Sequence, residues 1–275
     1  MNIWIEIICY VTAGLVTGIS AGLLGIGGGL IIVPFLVYFL PLLKFPDVYV
    51  MHIAIATSLA VIVFTSFSSA YSHYRKHAIN WNTVKKMVIG CIVGALIGSQ
   101  IADVLPGTIL KSIFGVFVFV MAYRLFTQHE MHGDGRKLPG RVGLAIASII
   151  ISTACTLLGT GGGSILVPYF NFYNVPMRNA VATSAACGFP IALAGAIGLY
   201  LAGTDETVFI PHMAGYIYLP AFIAVAIPSV LCAPLGAKLA HSIPTLLLKR
   251  IFASVLIFIG IDMLRSVTMH LIHTF

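Results

Sequence analysis

The chain has 275 residues, 59% of them apolar and only 8% charged, with a formal net charge of +7 and a mean hydropathy of +1.04. Soluble domains carry charge on about a quarter of their residues, so this composition excludes a water-soluble fold and makes the bilayer the solvent of most of the chain. The longest hydrophilic interruption, residues 127–141, is too short to form a soluble catalytic module.

Apolar chain begins at Ile3 with no basic stretch before it and runs on into more apolar chain, which reads as a span and not as a cleaved leader. A hydrocarbon core about 30 Å thick is crossed by about 20 helical residues. Gly, Pro and charge clusters divide the apolar runs into ten expected segments, at 4–24, 28–42, 49–72, 84–104, 108–126, 142–158, 162–172, 178–202, 214–240 and 245–270. The second and seventh are short. With the loop of Arg75, Lys76, Lys85 and Lys86 on the cytoplasmic side, twelve Lys and Arg fall inside and only Lys44, Lys111 and Arg265 outside. That asymmetry follows the positive-inside rule and places both chain ends on the extracytoplasmic side of a multi-pass cell-membrane protein. The surplus charge is spread over several short loops, so it gives no support to nucleic-acid binding.

The chain matches itself at an offset of 134 residues, where LLGIGGGLIIVPF (Leu23 to Phe35) answers LLGTGGGSILVPY (Leu157 to Tyr169). IATS at Ile55 to Ser58 answers VATS at Val181 to Ser184, and GSQIADVLPGTILKSIF from Gly98 answers GAKLAHSIPTLLLKRIF from Gly236. Three blocks in the same order indicate a duplication: residues 1–126 form a first five-segment repeat, 127–141 a cytoplasmic linker, and 142–275 a second repeat. An odd number of spans forces the second copy through the membrane in the opposite sense. The expected fold is therefore all-α and integral to the membrane, with about ten transmembrane segments as two inverted repeats and helices broken at Gly-rich turns. Inverted repeats of this kind are a device of secondary transporters.

Gly25, Gly27, Gly28 and Gly29, like Gly159, Gly161, Gly162 and Gly163, crowd helix-breaking residues between apolar runs, with Pro34 and Pro168 following. A break inside the bilayer is tolerable only where protein or a water-filled cavity surrounds the freed backbone. The helix that restarts presents free N–H groups and a positive dipole end, an anion site with no buried cation. The competing reading is that these glycines only let helices pack closely; their recurrence at equivalent positions favours a site. Thr57, Ser58, Thr183 and Ser184 occupy matching positions and carry hydroxyls suited to complete an anion cage. Thr160 and Ser164 replace Ile26 and Leu30, which makes the second turn the more polar. Asp262 and Asp103, at membrane depth, are the candidates for proton coupling, although Asp262 also has Arg265 at helical spacing. His52 and His241 are the only histidines away from predicted ends and loops. The five cysteines show no metal-binding spacing and read as packing residues, so neither a metal nor a cofactor is expected.

The paired GIGGGLIIVP and GTGGGSILVP sequences, each followed by an A-T-S triplet, resemble the TauE/SafE family of membrane permeases. That resemblance spans most of the chain and implies export of sulfite or organosulfonates. A membrane-embedded enzyme has no nucleophile and base pair to use, and a metal permease has no ligands near the turns. An anion-selective channel is the alternative to a carrier, and paired half-sites favour the carrier. Apolar surface facing lipid is indistinguishable in sequence from apolar surface facing another subunit, which leaves an oligomer open.

Overall fold

A computed structural model describes residues 3–24, 28–127, 138–207, 210–239 and 253–265. Nine helices are delimited among the described residues: α1 (Ile3–Leu24), α2 (Gly29–Leu42), α3 (Asp47–Arg75), α4 (Trp81–Val104), α5 (Gly107–Thr127), α6 (Arg141–Leu157), α7 (Gly163–Phe172), α8 (Met177–Ala202) and α9 (Leu219–Leu239). Residues 253–265 are also helical. Stretches of α1, α3, α4, α5 and α8 are long and apolar enough to cross a membrane, and α2, α6 and α9 hold shorter apolar stretches. The first eight expected segments agree with α1 to α8 to within three residues at each end. Residues 128–137 of the expected linker lie outside the described residues, as does half of the tenth segment.

The ninth segment departs from expectation. Met213–Ala214 and Ile217–Tyr218 form a two-stranded antiparallel hairpin (β1 and β2), and α9 starts only at Leu219. Gly215 turns this hairpin at φ +54°, a conformation that side-chain-bearing residues avoid. The run MAGYIY reads as apolar in sequence, yet the turn makes it a loop that folds back on the bundle.

Helix association in lipid relies on close packing of small residues, since lipid and side chains are equally apolar. The most extensive helix contacts are α1 on α9 and α4 on α6. A methyl group at Gly18 of α1 would lie 2.4 Å from the Ser229 carbonyl oxygen of α9. One at Gly94 of α4 would lie 2.2 Å from that of Ile149 in α6. Both glycines therefore set backbone-to-backbone contact. Thr153 of α6 adds a hydrogen bond, donating to Gly94 O at 2.9 Å.

At the centre α3 packs on α8, and the two run antiparallel. Arg178, at the start of α8, donates to Lys76 O just past the end of α3, whereas the ring of Tyr216, beyond the end of α8, lies tilted against His52 near the start of α3. Leu30, Leu36 and Leu40 of α2 and Ile53, Ile55 and Leu59 of α3 are wholly buried in one hydrophobic core. The outer surface is apolar instead, with Ile89, Val104, Ile150 and Phe258 mostly exposed, as a lipid-facing surface requires.

Candidate functional site

Both glycine runs end in an uncapped helix start. α2 begins at Gly29 after Gly28, and α7 at Gly163 after Gly162, with no side-chain cap in either case. The amides of Gly29 and Leu30 in α2, and of Gly163, Ser164 and Ile165 in α7, have no acceptor among the described residues. Their dipoles sum to roughly half a positive charge at each start. Pro34 and Pro168 lie within the two helices and carry no N–H, so the carbonyls of Leu30 and Ser164 lose their helical donors. Gly25 and Gly27, named above as site residues, lie outside the described residues.

The start of α2 meets the second turn. A methyl group on Gly29 would stand 2.3 Å from Gly159 O and 2.8 Å from Thr160 Cα, so the start of α2 lies directly against the second turn. Gly159 reverses the chain at φ +59° with its α-carbon face against the Ile55 backbone of α3. Ser58 of α3 donates to Gly159 O at 2.8 Å, holding the turn to the centre of the bundle. Behind it Ser164 Oγ donates to Thr160 Oγ1 at 3.2 Å, and both residues are buried. Gly161 packs on Ile62, and Gly162 on Ile191 and Gly188 of α8. Ser184 is completely buried, and its hydroxyl has no partner among the described residues.

Three cysteines converge on this region, a grouping that the sequence alone does not reveal. Cys91, Cys155 and Cys187 are all wholly buried in one cluster with Leu166 and Ile191, on the α7 and α8 side of the second turn. Among the described residues no group of His, Cys, Asp or Glu is arranged to hold a metal ion. Thr17 of α1 is another residue that sequence reading passes over. It is wholly buried, its methyl group fills the space over Gly28, and its hydroxyl has no partner among the described residues. A lone threonine in an apolar span carries no signal until the turn is folded against it.

Thr57 and Thr183 stand one residue before Ser58 and Ser184, and both are engaged by backbone. Thr57 Oγ1 accepts from the Tyr218 amide at 3.0 Å, and Thr183 Oγ1 from the Asn80 amide at 3.1 Å. Asn80 caps α4 through Thr83 N, and its loop is held by Arg178 and by Asn179, which donates to Ala78 O at 2.9 Å. The hairpin loop is held by phenols: Tyr216 donates to Asp103 at 3.0 Å, Tyr49 to Glu206 at 2.7 Å and Tyr218 to Glu6 at 3.1 Å. Tyr216 lies outside the spans, and burial together with the Asp103 carboxylate holds its phenol well above the usual range, so it stays a donor.

Asp103 thus belongs to the hairpin contact and not to the turns. Asp262 lies near Tyr38 of α2 and Lys111 of α5. His52 sits between Val48 O and Leu105 O, at 3.2 and 3.1 Å. Farther along α3, Thr65 and Ser66 both donate to Ile62 O of their own helix, which accounts for those hydroxyls without a ligand.

The chain matches the family model described as "Sulfite exporter TauE/SafE" over residues 10–263. It is 32% identical over 250 residues to a "Probable membrane transporter protein" of Haemophilus influenzae, covering 91% of this chain and 95% of that one. A protein of the same description from Methanocaldococcus jannaschii is 26% identical over 255 residues, covering 92% and 94%. Another, from Bacillus subtilis, is 26% identical over 213 residues, covering 70% and 78%. No solved structure matches the chain.

Proposed function

We propose, from the premise that this chain belongs to the sulfite exporter TauE/SafE family and is a multi-pass membrane transporter, that it is a secondary carrier of a small anion such as sulfite or an organosulfonate. The observation that carries this reading is the apposition of two uncapped helix starts, with Gly29 against the Gly159–Thr160 backbone. Free amides and two dipole ends attract an anion without a lysine or arginine beside it. Such a site binds gently enough to release its cargo. Hydroxyls of Thr160, Ser164 and Ser184 are suited to complete the shell, with Ser58 fixing the turn and Thr57 and Thr183 next to it.

The carrier works by alternating access between two five-segment repeats, 1–126 and 142–275, inserted in opposite senses and joined by a cytoplasmic linker. Support comes from the exchange relation in the packing. Corresponding helices swap into one another when α1 on α9 is compared with α4 on α6, and α2 on α3 with α7 on α8. The antiparallel α3 and α8 are counterparts in that relation. In the cell membrane the 76–80 loop faces the cytoplasm and the hairpin loop the outside, with both chain ends outside, in keeping with the distribution of Lys and Arg.

Reconstituted protein tests the proposal. Labelled sulfite, thiosulfate and a short sulfonate are offered to proteoliposomes with and without a proton gradient, and counterflow is measured. Uptake of at least one anion, stimulated by unlabelled anion on the other side, is the expected result. Flux of divalent cations, or anion flux without counterflow, refutes the carrier reading.

A further inference from the structure

The Thr57–Tyr218 and Thr183–Asn80 hydrogen bonds are counterparts of each other. Thr57 and Thr183 hold the same place in the two A-T-S triplets, and Asn80 and Tyr218 are each the residue just before a helix start, α4 and α9. Each threonine belongs to one half and accepts an amide from the other. The two bonds lie at different depths. Gly188 of α8 faces Ser66 and Gly195 faces Leu59, so the antiparallel register sets Thr183 level with the last turns of α3. At 1.5 Å per residue that is about 20 Å along α3 from Thr57.

We propose that Thr57 and Thr183 are positioning residues that tie the loop entering α9 and the loop entering α4, and that each tie holds shut one end of the transport path. This rests on the alternating-access reading above. Thr57 and Thr183 are wholly or almost wholly buried, so a released amide meets no water unless its loop lifts. The neighbouring Ser58 is bonded to the second glycine turn. A shift of the turn is therefore passed one residue along α3 to the tie at Thr57, with Ser184 and Thr183 in the equivalent places on α8. The two ends differ in what surrounds the ties. Arg178 and Asn179 hold backbone carbonyls beside Asn80, whereas phenols hold carboxylates beside Tyr218.

The test is hydrogen–deuterium exchange of the full-length protein in lipid nanodiscs, without substrate, for Thr57→Val and Thr183→Val. Thr57→Val is expected to speed exchange about fivefold in the segment 216–224 and leave 78–86 unchanged, about what loss of one neutral hydrogen bond gives. Thr183→Val is expected to do the reverse, and Thr57→Ser and Thr183→Ser to restore the parent pattern. Equal acceleration of both segments by either variant marks general loosening and overturns the proposal, as does no change in either. With labelled sulfite, the two Val variants should alter the apparent KM at opposite membrane faces, and equal changes at both faces remove the gating role. Absence of all anion flux with the exchange pattern intact removes the anion reading and leaves the ties standing.

Discussion

Replacing Gly29 by Ala tests whether apposition of the turns matters. The new methyl carbon would lie 2.3 Å from Gly159 O and 2.8 Å from Thr160 Cα, both backbone atoms. Comfortable contact for a non-bonded carbon is about 3.5 Å, so the start of α2 and the second turn must part by roughly 1 Å. Neither side has a flexible side chain to give way. Ser58 fixes Gly159 from one side, and Pro34 and the wholly buried Leu30 and Ile32 fix α2 from the other. Overpacking of this kind costs about 1–3 kcal/mol. A displacement of about 1 Å in a site that depends on aimed amides is enough to cost about a hundredfold in function. Thermal unfolding in detergent and sulfite counterflow read the two consequences separately, with Gly140→Ala as the control because nothing lies within 4 Å of its added carbon. The expected outcome is lowered stability and at least about tenfold slower flux for Gly29→Ala, with no change for Gly140→Ala. Flux and stability equal to the parent in Gly29→Ala refute the apposed-turn site.

Ser58→Ala removes the donor from the buried Gly159 carbonyl and should cost about 1–3 kcal/mol, seen as a lower unfolding temperature. Ser184→Ala removes a hydroxyl that has no partner among the described residues; stability should stay within about 0.5 kcal/mol while half-saturation for the transported anion rises, and an unchanged half-saturation removes Ser184 from the site. Gly18→Ala and Gly94→Ala each drive a methyl group into the backbone of the partner helix, so both should sharply reduce the yield of monodisperse protein by size-exclusion chromatography. Tyr216→Phe loses the bond to Asp103 and should speed amide exchange in the hairpin segment 213–218, with 78–86 as the internal reference.

Much of the architecture is legible in the residues because lipid imposes a simple rule. Every backbone polar group must be satisfied within its own segment, so apolar length reports helix position directly. The repeated GxGGG and proline pattern likewise announces where a helix stops and restarts, since glycine and proline act through the local backbone alone. The hairpin at 213–218 was hidden because its residues are as apolar as a span, and Gly215 alone marks the turn. Thr17, Cys91, Cys155 and Cys187 were hidden for another reason. Each is an ordinary small residue in an ordinary helix until a neighbouring element is packed against it.

Sequence by itself determined the membrane class, the limits of the first eight helices and the glycine and proline pattern between them, all of which follow from local backbone chemistry and hydropathy. Only the tertiary structure decided which hydroxyl does what. Thr57 and Ser58 are adjacent on one helix and indistinguishable by pattern, yet one faces the Tyr218 amide of the hairpin loop and the other the Gly159 carbonyl. Helical rotation separates neighbouring side chains by about 100°, and what waits on each bearing depends on how α8, α9 and the second turn pack around α3. The same packing sets Gly29 against Gly159 and brings two separate helix ends together.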